Sequence, residues 1–343
     1  MNLHLCIPAL FWPDNSQVDI YRHLELPALE TMLAKSFCTE DPGHSVESWL
    51  CEVFNVQKQH DWPVAPIVLQ LDRGCAEFRD NYWLRVDPVH LRIKNNHILL
   101  GDNHILNISL KEAISFTDSI NELISDDGLT LLPLHSDRWY LQCSEIPELR
   151  TFLLSEVVGQ NINNLLPHGN DSSIWNSRIN EIQMLLYEHP LNQIREAQGD
   201  LVVNSVWAWG GGVMPQKVHT PYTRIWSNHI LVSALAEMGK IVCHNLPEDT
   251  GELLRYSDDS GEQLVFLDNL HKYANYRDAF NWRNELMKIE QSWFAPLLQA
   301  LKKKQITQLK LTAISEHSTR SFTLTPGSFW KFWASVRPFG SYS

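Results

Sequence analysis

Apolar positions along this chain recur at two periods, and the alternation between them predicts its elements. Leu3 to Leu10 is a short apolar run broken by Pro8, the pattern of a first strand. Leu26 to Lys35 places apolar residues at helical spacing behind a proline suited to a first helical turn. Ser45 to Val53 opens on an N-cap serine with Glu47 in the first turn, which predicts a second helix. The segment "PIVLQL", Pro66 to Leu71, reads as a strand. From residue 80 the texture changes. Strands are expected at Tyr82–Ile93 and His97–Asp102 around a turn at Asn95-Asn96. Ser109 and Glu112 form a capping box ahead of an amphipathic helix that stops at Gly128. A strand follows at Asp137–Cys143, then a helix from Ser172 that ends before Pro190, with a protonated His189 suited to its terminus.

Beyond residue 200 the pattern is strand (Asp200–Trp209), helix (Ser227–Gly239), strand (Ile241–Pro247) and strand (Gln263–Leu270). That order is typical of a parallel α/β sheet. A long amphipathic helix, Asp278–Lys304, carries Pro296 as a kink, and a last strand at Gln308–Thr319 ends in polar groups. The expected fold is α/β. Residues 1–80 and 200–343 would form a core with a mainly parallel sheet flanked by helices. Residues 81–199 would form a smaller inserted α+β domain.

Composition narrows the function classes. The chain has 343 residues, is 44% hydrophobic, and carries 28 basic against 40 acidic side chains, a net charge of −12. Phosphate contacts need clustered Lys or Arg, so nucleic acid is not an expected partner. The one basic run, Lys302-Lys303-Lys304, suits the C-terminal end of a helix. Six scattered cysteines without a Cys-x-x-Cys pair read as reduced thiols. No segment reads as a signal peptide or a membrane span, so the expectation is a cytoplasmic protein without a membrane partner. Thirteen tryptophans and the tail Phe329–Trp333 supply either core or anchors for a protein partner.

Ligands of open α/β sheets bind beyond the carboxyl ends of strands. The stretch "NSVWAWGGG" ends in Gly210, Gly211 and Gly212. They suit either an anion-binding nest of backbone N–H groups or a tight turn. Glu316 and His317 stand at another strand end and are metal-ligand residue types. Arg85 and Arg138 have the fork geometry for an anionic ligand, or for ion pairs with nearby aspartates. No G-x-S-x-G, H-E-x-x-H or EF-hand pattern occurs.

The segments "WLRVDPVHL", "EIQMLLYEHPLNQIREAQGD" and "NSVWAWGGG" resemble the RpfE-type regulatory proteins of proteobacteria. More distantly, "LPALETMLA", "PGHSVESWL", "NSVWAWGGG" and "ISEHST" resemble, in that order, segments of the archaeal-type cofactor-independent phosphoglycerate mutases. Those belong to the alkaline phosphatase superfamily, with a two-metal α/β core and an inserted domain. That resemblance places Ser45 at the nucleophile position and Glu316 and His317 at a metal-ligand pair. It also implies an acid directly after the first strand, where this chain reads "LCIPALFWPD". His271 and Asp278 have the wrong spacing for the next ligand pair, and "RSFTLTPGSFW" has no histidine. The implied protein is a scaffold with a dismantled catalytic centre and no cofactor. It would be a regulatory or ligand-sensing protein that holds a small anionic or phosphorylated ligand near Gly210–Gly212 with Arg85 or Arg138. The alternative is an active mutase or phosphatase in which Asp14, Asp72 or Asp278 completes a divalent-metal site.

Overall fold

The computed structural model describes residues 1–14, 18–73, 80–94, 97–256, 261–331 and 333–343. The turn expected at Asn95-Asn96, Cys75 and Phe332 lie outside the described residues. The strands in chain order are β1 (Asn2–Pro8), β2 (Phe37–Pro42), β3 (Tyr82–Lys94), β4 (His97–Gly101), β5 (Leu129–Pro133), β6 (Trp139–Cys143), β7 (Ser205–Gly212), β8 (Tyr222–Trp226), β9 (Val242–His244), β10 (Glu262–Phe266), β11 (Gln308–Ile314) and β12 (Ser318–Leu324). The longer helices are α1 (Pro27–Lys35), α2 (Val46–Val53), α3 (Val64–Arg73), α4 (Leu110–Ile124), α5 (Ser172–Glu188), α6 (Pro190–Gln198), α7 (Ile230–Met238), α8 (Thr250–Tyr256), α9 (Ala279–Ile289) and α10 (Ala295–Lys302).

The chain divides into two compact units, Met1–Phe54 with His219–Ser343, and Asn55–Val218. The first holds a seven-stranded sheet in the order β2-β12-β11-β1-β10-β8-β9. The five strands from β11 to β9 run parallel, and β12 and β2 close one side antiparallel. Helix α7 and strand β9 are present as expected, but the strand parallel to β9 is β8, which the sequence pattern did not single out, and not Asp200–Trp209. Leu3, Leu5 and Ile7 of β1 lead a core that also takes in Trp282, Phe294 and Leu311. A buried polar ladder crosses the same sheet. His4 Nδ1 meets the Tyr222 hydroxyl at 2.5 Å, His4 Nε2 meets Thr312 Oγ1 at 2.8 Å, and Thr312 meets Ser321 at 2.8 Å.

Pro296 does interrupt the long helix. Residues Glu290–Phe294 relax into a π turn between α9 and α10, because proline offers no N–H to the preceding ladder. The turn places Glu290 at the start of α1, which has no side-chain cap of its own. Its carboxylate accepts from the backbone N–H groups of Ala28 at 2.7 Å and Leu29 at 3.1 Å. Those are orphan donors at a helix N-terminus, where negative charge is favoured.

The second unit holds an antiparallel sheet, β4-β3-β6-β5, with β7 also paired to β3. Phe116 and Ile120 of α4 and Trp175, Ile182 and Leu186 of α5 cover one face. The capping box is present, with Ser109 Oγ accepting from Glu112 N–H and Glu112 accepting from Ser109 N–H. Three expectations fail here. Pro66–Leu71 lies in helix α3, whose residues Val64–Leu69 are all buried, so no periodicity separates it from a core strand. The Ser205–Gly212 strand joins β3 rather than the parallel sheet, and the second unit accordingly takes in residues on both sides of 81–199. His189 is buried, accepts from Leu191 N–H at 3.3 Å, and has its pKa lowered by burial, so it serves as a neutral N-cap of α6.

Candidate functional site

In the first unit the parallel strands deliver their carboxyl ends to one edge. His44 N–H donates to the Ser315 carbonyl at 3.0 Å, which starts α2 just beyond the end of β11. Gly43 permits that approach, since a Cβ there would overlap the Glu316 carbonyl. Ser45, the nucleophile position of the resemblance, is the N-cap of α2. It accepts from Ser48 N–H at 3.3 Å and donates to Ser48 Oγ at 2.9 Å. Glu316 and His317 sit in the exposed turn between β11 and β12. Partial burial pushes the Glu316 carboxyl up, against the opposing charges of His317 and Arg277.

Two further residues of this edge escaped the sequence reading. His229 and Asp268 lie just past the ends of β8 and β10. The His229 ring packs edge-on against Phe266 at 5.4 Å, and its Nδ1 is buried with no hydrogen-bond partner among the described residues. Burial lowers its pKa, and the Asp268 charge opposes the shift. Their position directly after apolar strands was the available signal.

Directly after β1, where the mutases' pattern has an acid, Ala9 takes a left-handed φ of 55°. Its carbonyl accepts from Trp282 Nε1 at 2.9 Å, and its N–H donates to the Ile314 carbonyl at 3.0 Å. Buried Trp12 and Trp282 meet edge-on beside it at 5.5 Å. Asp278 caps α9, accepting from Asn281 N–H at 3.1 Å. Among the described residues, no group of three or more His, Cys, Asp or Glu side chains is placed to hold a metal ion. The donors among the described residues do not fit a two-metal centre, which needs several ligands per ion.

In the second unit Arg85 and Arg138 meet through Tyr140. Buried Arg85 lies 5.2 Å from the ring centroids of Tyr140 and Trp209 and binds Asp87 with Nε and Nη2 at 2.8–2.9 Å. Asp87 also accepts from Trp209 Nε1 at 2.7 Å. Arg138 binds Asp72 with Nε at 2.8 Å and Nη2 at 3.0 Å, and the Tyr140 hydroxyl donates to the same carboxylate at 2.5 Å. His135 Nε2 is 3.2 Å from Asp72. Burial pushes the Asp72 carboxyl up, but donation by Arg138 and Tyr140 and the charges of Arg138 and His135 outweigh it and hold it below its usual range. Each arginine thus takes its own carboxylate, the second of the two readings its spacing allowed. Arg85 is closed off, whereas the half-exposed His135 leads from solvent to Arg138.

Gly210, Gly211 and Gly212 do not form a nest. All three are buried inside β7. Arg85 pairs with Trp209 but Trp83 with Gly212, so β7 carries one extra residue, a bulge with Gly210 at φ 65°. A Cβ on Gly211 would overlap the Tyr82 hydroxyl, and one on Gly212 would lie 2.7 Å from Pro63 Cβ. The glycines let residues 59–65 and β3 close against the strand.

No family model matches the chain. It is 27% identical over 138 residues to the 2,3-bisphosphoglycerate-independent phosphoglycerate mutase of Methanosarcina mazei, covering 39% of this chain and 35% of that protein. With the same enzyme of Methanosarcina barkeri it shares 25% over 155 residues, covering 45% and 37%. The matched stretch therefore spans little more than a third of these relatives' length. Among solved structures, the PH0037 protein of Pyrococcus horikoshii superposes with a TM-score of 0.53 at 12% identity, over 94% of this chain and 87% of that one. The cofactor-independent phosphoglycerate mutase of Thermoplasma acidophilum gives 0.49 at 11% identity, over 100% and 94%. By sequence, this mixed α/β chain is distantly similar to the archaeal-type cofactor-independent phosphoglycerate mutases.

Proposed function

We propose that this chain is a regulatory or ligand-sensing protein of the RpfE type, on a mutase-like scaffold that does not assemble a two-metal catalytic centre. The observation that carries the reading is the end of β1. There an alanine bonded to Trp282 stands where the mutases' pattern has an acid. The Ser45 hydroxyl donates to Ser48 Oγ and accepts from Ser48 N–H, whereas a nucleophilic serine needs a base or metal to take its proton. The Ser45 oxygen serves the helix instead.

The sensed ligand is a small anion, with a phosphorylated acid the class favoured by the similarity to phosphoglycerate mutases. Arg138 and His135 are its contacts, and the ligand competes with Asp72 for the guanidinium. The test is calorimetric titration with 3-phosphoglycerate and with inorganic phosphate, beside a mutase and phosphatase assay in Mn²⁺. Expected are binding that Arg138→Gln weakens at least about tenfold, the loss of a bidentate charged contact, and no turnover. Turnover that disappears in Ser45→Ala would overturn the noncatalytic reading. Binding unchanged in Arg138→Gln would overturn the assigned contact.

A further inference from the structure

A groove of about 800 Å³ runs between the β8–β9 edge of the first unit and helix α8, and its walls share no residue with the strand-end positions or the arginine cluster. Short elements on both sides leave it open. β9, the outermost strand of its sheet, has three residues, and α8 has seven. Trp226 and His244 are partners in register across β8 and β9, and their rings stack with centroids 4.6 Å apart. The Trp226 Nε1 donates to Gln263 Oε1 at 3.2 Å, which fixes the indole. The Tyr256 ring lies 6.3 Å from the same indole. Trp226 is buried, whereas His244 and Tyr256 are exposed and border the groove.

The opposite wall is held at both ends of α8. Thr250 Oγ1 donates to the Trp293 carbonyl at 3.1 Å, and Arg224 Nη1 donates to the Tyr256 carbonyl at 2.7 Å. Charge is arranged along this helix. Glu248 and Asp249 stand just before it and Arg255 stands in its last turn, all three exposed and all lining the groove. Asp249 accepts from Glu252 N–H at 2.8 Å, and Glu252 turns back to accept from Glu248 N–H at 2.9 Å. The carboxylates therefore gather at the start of α8 and the guanidiniums of Arg224 and Arg255 at its end.

A concave site with an aromatic wall and a few polar groups suits a planar small molecule. The lining limits its charge. Three carboxylates oppose a phosphate, and two guanidiniums oppose an organic cation. An α-amino acid carries both signs, but on one carbon, whereas Asp249 and Arg255 are separated by about 10 Å of helix. A nucleoside matches the order of the groups. Its base stacks on exposed rings, its ring acceptors meet guanidinium donors, and its ribose hydroxyls donate to carboxylates. A bicyclic base covers more of the two exposed rings than a single ring does. We infer that this groove binds a purine nucleoside without a phosphate, the base toward Arg255 and the ribose toward Glu248. The site goes beyond the anion-sensing reading, which places its ligand on Arg138.

The test is calorimetric titration of the full chain with guanosine and adenosine, beside guanosine monophosphate, L-tryptophan and tetramethylammonium. A purine nucleoside is expected to bind saturably, at least about tenfold more tightly than the monophosphate, whose charge meets the carboxylates. His244→Ala and Tyr256→Ala should each weaken that binding at least about fivefold through loss of a stacking ring, in a chain still folded by circular dichroism. Arg138→Gln should leave nucleoside affinity unchanged, so failure here and failure of the anion-sensing reading are told apart. No saturable binding of either nucleoside, or binding that survives both ring substitutions, would overturn the inference. So would a monophosphate that binds as tightly as the nucleoside. Tighter binding of L-tryptophan or tetramethylammonium would overturn it too, by assigning the groove to an amino acid or an organic cation.

Discussion

The strand-end edge of the first unit and the arginine cluster of the second handle ionic groups in opposite ways. At the edge, charge is replaced. Ala9 is bonded to a tryptophan, and Ser45 and Asp278 are spent on helix caps. In the cluster, charge is retained and paired, Arg85 with Asp87 and Arg138 with Asp72. The first arrangement leaves Ala9, Ser45 and Asp278 engaged in local bonds. The second holds Arg138 in an ion pair that, on the proposed reading, a competing anion would claim. Catalytic metal chemistry and anion sensing place different demands on the same kind of scaffold, and the proposed reading rests on the second.

Asp87→Ala should give the largest effect. It leaves Arg85 buried without its carboxylate, a change that costs about 3–5 kcal/mol and is measurable by urea unfolding. A loss under 1 kcal/mol would mean that water reaches Arg85 and the cluster is open. Gly211→Val comes next, at about 1–3 kcal/mol, because the new side chain meets Tyr82 and Leu84 in a packed sheet. An unchanged unfolding midpoint together with lost anion binding would restore the glycines to a ligand role.

The His4 ladder supplies a pH test in the first unit. Burial, helped by the Lys310 charge, lowers the His4 pKa from 6.5 to about 3. The unfolded chain therefore binds the extra proton between those values, and stability falls as pH drops through that window. The slope from this residue is at most about 1.4 kcal/mol per pH unit. Subtracting a pH series of His4→Gln from that of the wild type isolates it. A flat difference between pH 6.5 and pH 4 would show that the ladder admits the charged ring. Ser45→Ala should be the mildest change, near 1 kcal/mol of stability from the lost cap, with ligand binding unaffected. Altered binding would give Ser45 a role beyond the helix.

The sequence carried the local features well. The Ser109–Glu112 box, the break at Pro296 and the helix α7 are short-range signals, and each is present in the structure. What failed depended on distant pairing. The role of the glycines follows from a bulge opposite β3, more than a hundred residues earlier in the chain, and no local pattern encodes it. Helix α3 is buried along its first six residues, so its periodicity vanishes. The arginines were legible as residue types, but their neutralisation by Asp87 and Asp72 required the fold. Asp268 and His229 went unremarked because a single polar residue after a strand has many uses.

Metal content tests the central claim most directly. The purified chain would be incubated with excess Mn²⁺ or Zn²⁺, desalted, and analysed by mass spectrometry alongside a phosphoglycerate mutase assay. The expected result is substoichiometric metal and no turnover. Two ions retained per chain, with activity that Ser45→Ala abolishes, would contradict it.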